Sequence, residues 1–276
     1  GKTGNITVKL PDGTDLDAKH QVTVIVTDHK KAPQQGKNVA VKGDLGQSAA
    51  GKTDKNGELT VPEVEQTERH GVYIVGYTDG TFGPSRSMTR AEAAAIFARL
   101  LAEKNGDTIS TAANTKFTDI PAHAWYSGYV KYLSNNGITY GKSKTVFAPD
   151  DAITRAEFTT MAVRFFDVYG SGDAEIMEQF SGFNDVSSGY WAAKYIKYAA
   201  LHGWINGYGD GSFHAEREIN RAEVVTIVNR LLGREADEDY IADNLRKLNT
   251  FPDVSRKHWA YYAVMEAANA HTAVLG

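Results

Sequence analysis

One short motif occurs three times in this chain, and so regular a recurrence restricts the fold more than any composition figure. Met88-Thr89-Arg90-Ala91-Glu92 returns as Ile153-Thr154-Arg155-Ala156-Glu157 and as Ile219-Asn220-Arg221-Ala222-Glu223. The arginines stand 65 and then 66 residues apart. Repeats of this length are units that cannot bury their apolar faces alone, so they must stack on one another. The motif itself is a capping box. A Thr or Asn at the N-cap accepts from the N3 amide, and the N3 Glu reaches back to the N-cap N–H. Apolar runs follow each box, as in Ala93-Ala94-Ala95-Ile96-Phe97 and Val224-Val225-Thr226-Ile227-Val228. Three helices therefore start here, each cap contributing about 1 kcal/mol. Arg at N1 has no capping duty, which leaves Arg90, Arg155 and Arg221 for another role.

Two further signatures keep the same step. A loop precedes each box: Gly76-Tyr77-Thr78-Asp79-Gly80-Thr81-Phe82, Gly141 to Phe147, and Gly207-Tyr208-Gly209-Asp210-Gly211-Ser212-Phe213. Its closing Phe is the expected core anchor. After each capped helix, Phe117-Thr118-Asp119, Phe183-Asn184-Asp185 and Phe251-Pro252-Asp253 lead to Trp125, Trp191 and Trp259. Behind each Trp lies a helical pattern. The segments 102–116, 167–182 and 233–250 are polar and variable, as surface loops are, with an extra helical turn expected near Glu235 to Tyr240.

Upstream the pattern changes to period two. Asn5–Leu10, Gln21–Val26, Lys37–Val41 and Glu58–Val61 read as strands separated by turn signals such as Pro11-Asp12-Gly13. Asp54-Lys55-Asn56-Gly57 reads as a hairpin turn. It lacks the later ligands of a calcium loop. A small β-sandwich over 1–66 is expected, and the charged stretch Pro62 to Gly71 marks the boundary with a repeat domain over 67–276.

Composition narrows the function. A net charge of −4 in 276 residues argues against nucleic-acid binding. No apolar run approaches the length of a membrane span, so no membrane insertion is expected. Zero cysteines exclude disulfides and thiol chemistry. The eight histidines lack an i, i+4 pairing or clustered acids, so no metal site and no cofactor is expected. The opening Gly1-Lys2-Thr3-Gly4 reads as the edge of an excised fragment.

Together Phe-x-Asp-Val, His/Tyr-Trp-Ala, Gly-Tyr-x-Asp-Gly-x-Phe and Thr-Arg-Ala-Glu resemble S-layer homology domains, over about residues 72–276. Val22 to Val61 resembles bacterial immunoglobulin-like modules of surface proteins. The resemblance implies a multidomain chain, an all-β sandwich followed by a mainly α pseudo-threefold spindle. It implies an extracellular location in the bacterial cell wall or S-layer. It also implies a binding role without catalysis, the noncovalent anchoring of a surface protein through secondary cell-wall polysaccharide carrying pyruvate ketals. In that family the basic residue of the box is the chief binding residue, which maps onto Arg90, Arg155 and Arg221. Other S-layer subunits are candidate partners. The alternatives are a structural S-layer assembly unit and a cell-wall glycan-processing enzyme.

Physical chemistry supplies a candidate site for an acidic glycan. A helix N-terminus offers unpaired amides and a positive dipole end, to which an N1 Arg adds a bidentate fork. Trp125, Trp191 and Trp259 can lie against the C–H face of a sugar, or serve as core anchors. Asp119, Asp185 and Asp253 can take sugar hydroxyls, or cap the helices that follow them. Gly76, Gly141 and Gly207 permit close backbone approach, and Tyr77 and Tyr208 flank the first and third of them.

The copies differ. Lys142 replaces Tyr in the middle loop, Ala215 replaces Pro in the third, and His271 stands where the others have Gly137 and Gly203. The first repeat lacks a Phe-x-Asp…Trp helix before its loop, and the chain ends with one, read as a helix within 251–272. That terminal helix is expected to pack beside the first loop and close a ring.

Overall fold

A computed structural model describes residues 6–9, 22–28, 30–42, 48–61, 67–169 and 182–274. The chain forms two compact units, 1–70 with 271–276, and 71–270.

The first unit is built of strands. β1 (Ile6–Lys9) runs parallel to β3 (Asn38–Lys42), which pairs antiparallel with β4 (Ser48–Lys52). β2 (Val22–Ile25) pairs antiparallel with β5 (Glu58–Val61), Val22 opposite Val61. The turn Asp54 to Gly57 is not a hairpin, because the strands on either side of it pair with different partners. Asp54 Oδ1 accepts the amides of Asn56 and Glu58, at 2.7 and 3.0 Å, while Gly57 takes a left-handed φ of 74°. The boundary stretch is also more structured than its composition suggests. Thr67–His70 is strand β6, and it pairs antiparallel with β7 (His271–Val274). Residues 62–66 and the turn at 11–13 lie outside the described residues.

The second unit is helical: α1 (Arg90–Asn105), α2 (Ser127–Asn135), α3 (Arg155–Tyr169), α4 (Ala193–Leu201), α5 (Arg221–Leu231), α6 (Glu238–Asn244) and α7 (Tyr261–Ala268). Among the described residues no helix is long and apolar enough to cross a membrane. α1, α3 and α5 begin at the three boxes. Thr89 Oγ1 accepts from Glu92 N at 3.2 Å while Thr89 N donates to Glu92 Oε2 at 2.9 Å. Thr154 with Glu157 and Asn220 with Glu223 repeat this geometry. α6 starts at Asp237, whose carboxylate caps Tyr240 N.

The residues just before the caps build the axis. Met88 N–H donates to Ile219 C=O, Ile219 N–H to Ile153 C=O, and Ile153 N–H to Met88 C=O, at 2.9–3.0 Å. This closed triangle of backbone bonds joins three fully buried side chains and makes the arrangement pseudo-threefold. Each such buried side chain contributes about 1.5–3 kcal/mol. The loop phenylalanines Phe82, Phe147 and Phe213 are fully buried core anchors.

Each capped helix packs against the helix behind the next Trp: α1 on α2, α3 on α4, and α5 on α7. α2 and α4 are followed by Gly137 and Gly203 at φ of 73° and 68°. The terminal helix ends differently. With His271 in the glycine position, Asn269 leaves α7 in an extended conformation, φ −131° and ψ 129°, and strand β7 follows. The expected helix through residue 272 therefore stops at Ala268.

Candidate functional site

The repeats are stitched cyclically by the residues singled out in the sequence. Asp119 accepts from the amides of Phe147 and Ala148, and Asp185 from those of Phe213 and His214. Asp253 accepts from Phe82 N at 2.9 Å and Gly83 N at 2.7 Å, so the last copy holds the first. These carboxylates therefore do not cap their own helices. Each clasps the loop that follows its own Trp helix in the cyclic order, and although burial pushes the Asp185 carboxyl up, the amides of Phe213 and His214 bring it below the usual range. The lead glycines have a matching explanation. A Cβ on Gly76, Gly141 or Gly207 would lie 2.4–2.5 Å from the ring of Phe251, Phe117 or Phe183.

The helix beginnings carry no unpaired N1 or N2 amides, which corrects the expectation of a ready-made anion site. Arg90 N and Ala91 N donate to the carbonyls of Asp151 and Pro149, at 2.9 Å each. Arg155 and Ala156 bond to Arg217 and Ala215, and Arg221 and Ala222 to Arg86 and Pro84. The arginine side chains are likewise anchored. Arg90, Arg155 and Arg221 are only 4–5% exposed. Their Nε atoms donate to the carbonyls of Phe147, Phe213 and Phe82 at 2.8–2.9 Å. Their outer nitrogens meet the box glutamate of the next copy: Arg90–Glu157 and Arg155–Glu223 at 3.1 Å, and Arg221–Glu92 at 3.9 Å. Burial lowers the Arg155 and Arg221 pKa values from their ordinary position, though both groups stay charged. Each box glutamate thus holds a cap amide and a guanidinium together.

The arginines nevertheless border open clefts, one beside each capped helix. Arg221, Gly76, Tyr77, Glu92 and Trp125 line a cleft of about 210 Å³. Arg90, Gly141, Glu157 and Trp191 line a second, of about 240 Å³. Arg155, Gly207, Tyr208, Glu223 and Trp259 line the third and largest, about 680 Å³. The three tryptophans are 54–65% exposed, so they are not core anchors, unlike Trp204 at 3%. Asp119, Asp185 and Asp253 line none of these three clefts.

One set of cleft residues escaped the sequence reading. Arg99, Arg164 and Arg230 line the first, second and third clefts. Each lies nine residues after the box arginine and seven after the box glutamate, a spacing that puts Glu and Arg on one helix face. The signal was present at the repeat period, but it lies beyond the apolar run, outside the box.

Comparison with known proteins agrees with this construction. The S-layer homology domain model matches residues 60–94, 116–159 and 182–225, so the chain carries three S-layer homology domains. It is 32% identical over 229 residues to the cellulosome-anchoring protein of Acetivibrio thermocellus, covering 82% of this chain and 48% of that one. It is 34% identical over 214 residues to cell surface glycoprotein 1 of the same organism, covering 75% of this chain and 9% of the relative. It is 29% identical over 155 residues to an S-layer protein of Bacillus licheniformis, 56% of this chain and 17% of that one. The chain thus spans less than half the length of these relatives. The matches indicate a location at the bacterial cell surface, in the cell wall or S-layer, and support a role in surface anchoring.

Proposed function

We propose that this chain is a non-enzymatic anchor that holds a bacterial surface protein to secondary cell-wall polysaccharide by gripping acidic, pyruvylated sugar in the clefts between modules. The observation that carries this reading is the same juxtaposition three times over: a buried, rigidly held guanidinium beside an exposed tryptophan in an open cleft. The guanidinium supplies a fixed positive charge and directed donors for a carboxylate. The indole supplies a flat apolar face for sugar C–H groups and an N–H for a hydroxyl. A charge already fixed by Nε and the neighbouring Glu loses little conformational freedom when ligand arrives.

Catalysis is a poorer reading of the same residues. Acid/base work on a glycoside needs a pair of available carboxyl groups. Glu92, Glu157 and Glu223 are tied to a cap amide and an arginine, and the three aspartates to loop amides. Repetition favours binding too, since modest sites on one polymer reinforce each other through effective concentration. The immunoglobulin-like reading of the β unit belongs to the same proposal, supported by its short antiparallel pairs in separate sheets.

The test is co-sedimentation of the chain with purified cell wall, native against stripped of polysaccharide. Retention on native wall alone supports the reading, and equal retention on both overturns it.

A further inference from the structure

The three clefts are not chemically equal, and the difference traces to one substitution. The third residue of α2 is Tyr129 and that of α4 is Tyr195, but that of α7 is Ala263. In the first two copies the tyrosine captures the cleft arginine. The Arg99 guanidinium lies 5.1 Å from the Tyr129 ring centre. Arg164 lies 5.1 Å from the Tyr195 ring and 4.7 Å from that of Tyr140, and donates to the Tyr195 hydroxyl at 3.2 Å. In the third copy the position equivalent to these tyrosines is Ala263, which offers Arg230 no ring. Arg230 is exposed, and among the described residues its side chain has no ion-pair, hydrogen-bond or ring partner.

A second difference acts in the same direction. Arg217 lines the third cleft, stacks on Tyr208 and pairs with Glu223. The equivalent of Arg217 in the middle copy is Asp151, bound to Lys142 at 2.6 Å. In the first copy it is Arg86, stacked on Tyr77 at 4.1 Å and outside the cleft lining. The third cleft therefore sets Arg155, Arg217 and Arg230 against Glu223, while each of the others sets two arginines against one glutamate. It also has about three times the volume, 680 Å³ against 210 and 240 Å³.

We infer that the third cleft is the principal anion-selective site of this chain, with Arg230, left unstacked by Ala263, as its carboxylate-gripping residue and Trp259 as its sugar platform. This rests on the acidic-glycan reading above and adds to it which cleft dominates and which residue decides it. A carboxylate reaching Arg99 or Arg164 meets a guanidinium already engaged with an aromatic ring. At Arg230 no such contact has to be rearranged, and the larger cleft admits more than one sugar ring. Both features favour binding there.

The experiment is calorimetric titration of the chain with a methyl hexopyranoside carrying a pyruvate ketal, alongside the same glycoside without the ketal. Wild type is compared with Arg99→Ala, Arg164→Ala, Arg230→Ala and Ala263→Tyr, each checked for an unchanged melt. Arg230→Ala is expected to lower affinity for the ketal by about tenfold or more, the scale of one charge-assisted contact. Ala263→Tyr, which restores the ring of the other copies, is expected to lower it in the same direction. Arg99→Ala and Arg164→Ala should change it less than about twofold. A loss at Arg99 or Arg164 equal to that at Arg230 overturns the ranking of the clefts while leaving the glycan reading intact. Equal binding of the ketal and its neutral parent, or no binding of either by wild type, overturns both.

Discussion

Asp253 and Phe82 lie 171 residues apart in the chain, yet the carboxylate of the first accepts the backbone N–H of the second at 2.9 Å. It is the same bond that Asp119 makes to Phe147 and Asp185 to Phe213 across only 28 residues. The terminal Phe-x-Asp…Trp segment thus completes the split first module. Asp253→Ala leaves the amides of Phe82 and Gly83 without their acceptor, at a cost of roughly 1–3 kcal/mol each. We expect a clear fall in melting temperature. Deletion of 251–276, which also removes Phe251 from Gly76 and α7 from α5, should abolish the cooperative melt of the helical unit. A truncated chain that melts at the wild-type temperature would contradict the ring.

The exposed tryptophans separate binding from folding. Trp125, Trp191 and Trp259 are more than half exposed, so replacing them with Ala should alter stability by no more than about 0.5 kcal/mol. Wall retention of the triple variant should nevertheless collapse. A triple variant that melts normally and still co-sediments would remove the indoles from the site.

The box arginines should not separate in that way. Arg155→Ala leaves the buried Phe213 carbonyl without its donor and takes from Glu223 one of its two cations, Arg217 remaining, at a cost of roughly 1–3 kcal/mol. Arg155→Lys keeps the charge but loses the fork that bridges carbonyl and carboxylate. Both variants should lower the denaturation midpoint as well as wall binding. A variant that loses binding at wild-type stability would show that the guanidinium is not the structural link described above.

The helix starts were legible because a capping box is local chemistry, read from residues three apart. The repeat period also revealed the order of loop, box and Trp helix. The partners of those elements were not legible. Asp119 looks like a cap for the helix after it, and nothing nearby in the sequence discloses that its oxygens go to Phe147 and Ala148. Gly141 looks like a ligand approach until Phe117 is placed 2.5 Å from its would-be Cβ. The N1 amides look unpaired until the next copy's carbonyls arrive. Thr67–His70 and His271–Val274 carry no strand pattern of their own and form by pairing with each other. In each case the missing information lies in contacts between segments far apart in the chain, and a period in the sequence does not say which of their atoms meet.

Two positions in the loops hold strain that one module has avoided. Gly83 takes a φ of 67°, and its counterparts Ala148 and His214 adopt 58° and 55° with a side chain present. Left-handed backbone costs an ordinary residue about 1–2 kcal/mol. Part of that gain is offset by the greater freedom glycine gives the unfolded chain. Ala148→Gly should therefore stabilise the helical unit by about 1 kcal/mol, measured by chemical denaturation. A loss of stability would mean that the Ala148 methyl contributes more packing than its exposure suggests.

The last expectation concerns pH. Glu266 of α7 is 1% exposed, and burial raises its carboxyl pKa from the usual range to about 7, with Arg234 opposing the shift and Asp237 adding to it. Because the folded state holds this proton more tightly than the unfolded chain, the neutral form favours folding. That contribution is complete below the ordinary glutamate pKa and is lost progressively as pH rises through about 7. Its full size is on the order of 3 kcal/mol. The helical unit should thus be more resistant to urea at pH 5 than at pH 8, and Glu266→Gln should flatten the difference. An unaltered slope in that variant would assign the pH dependence to another group.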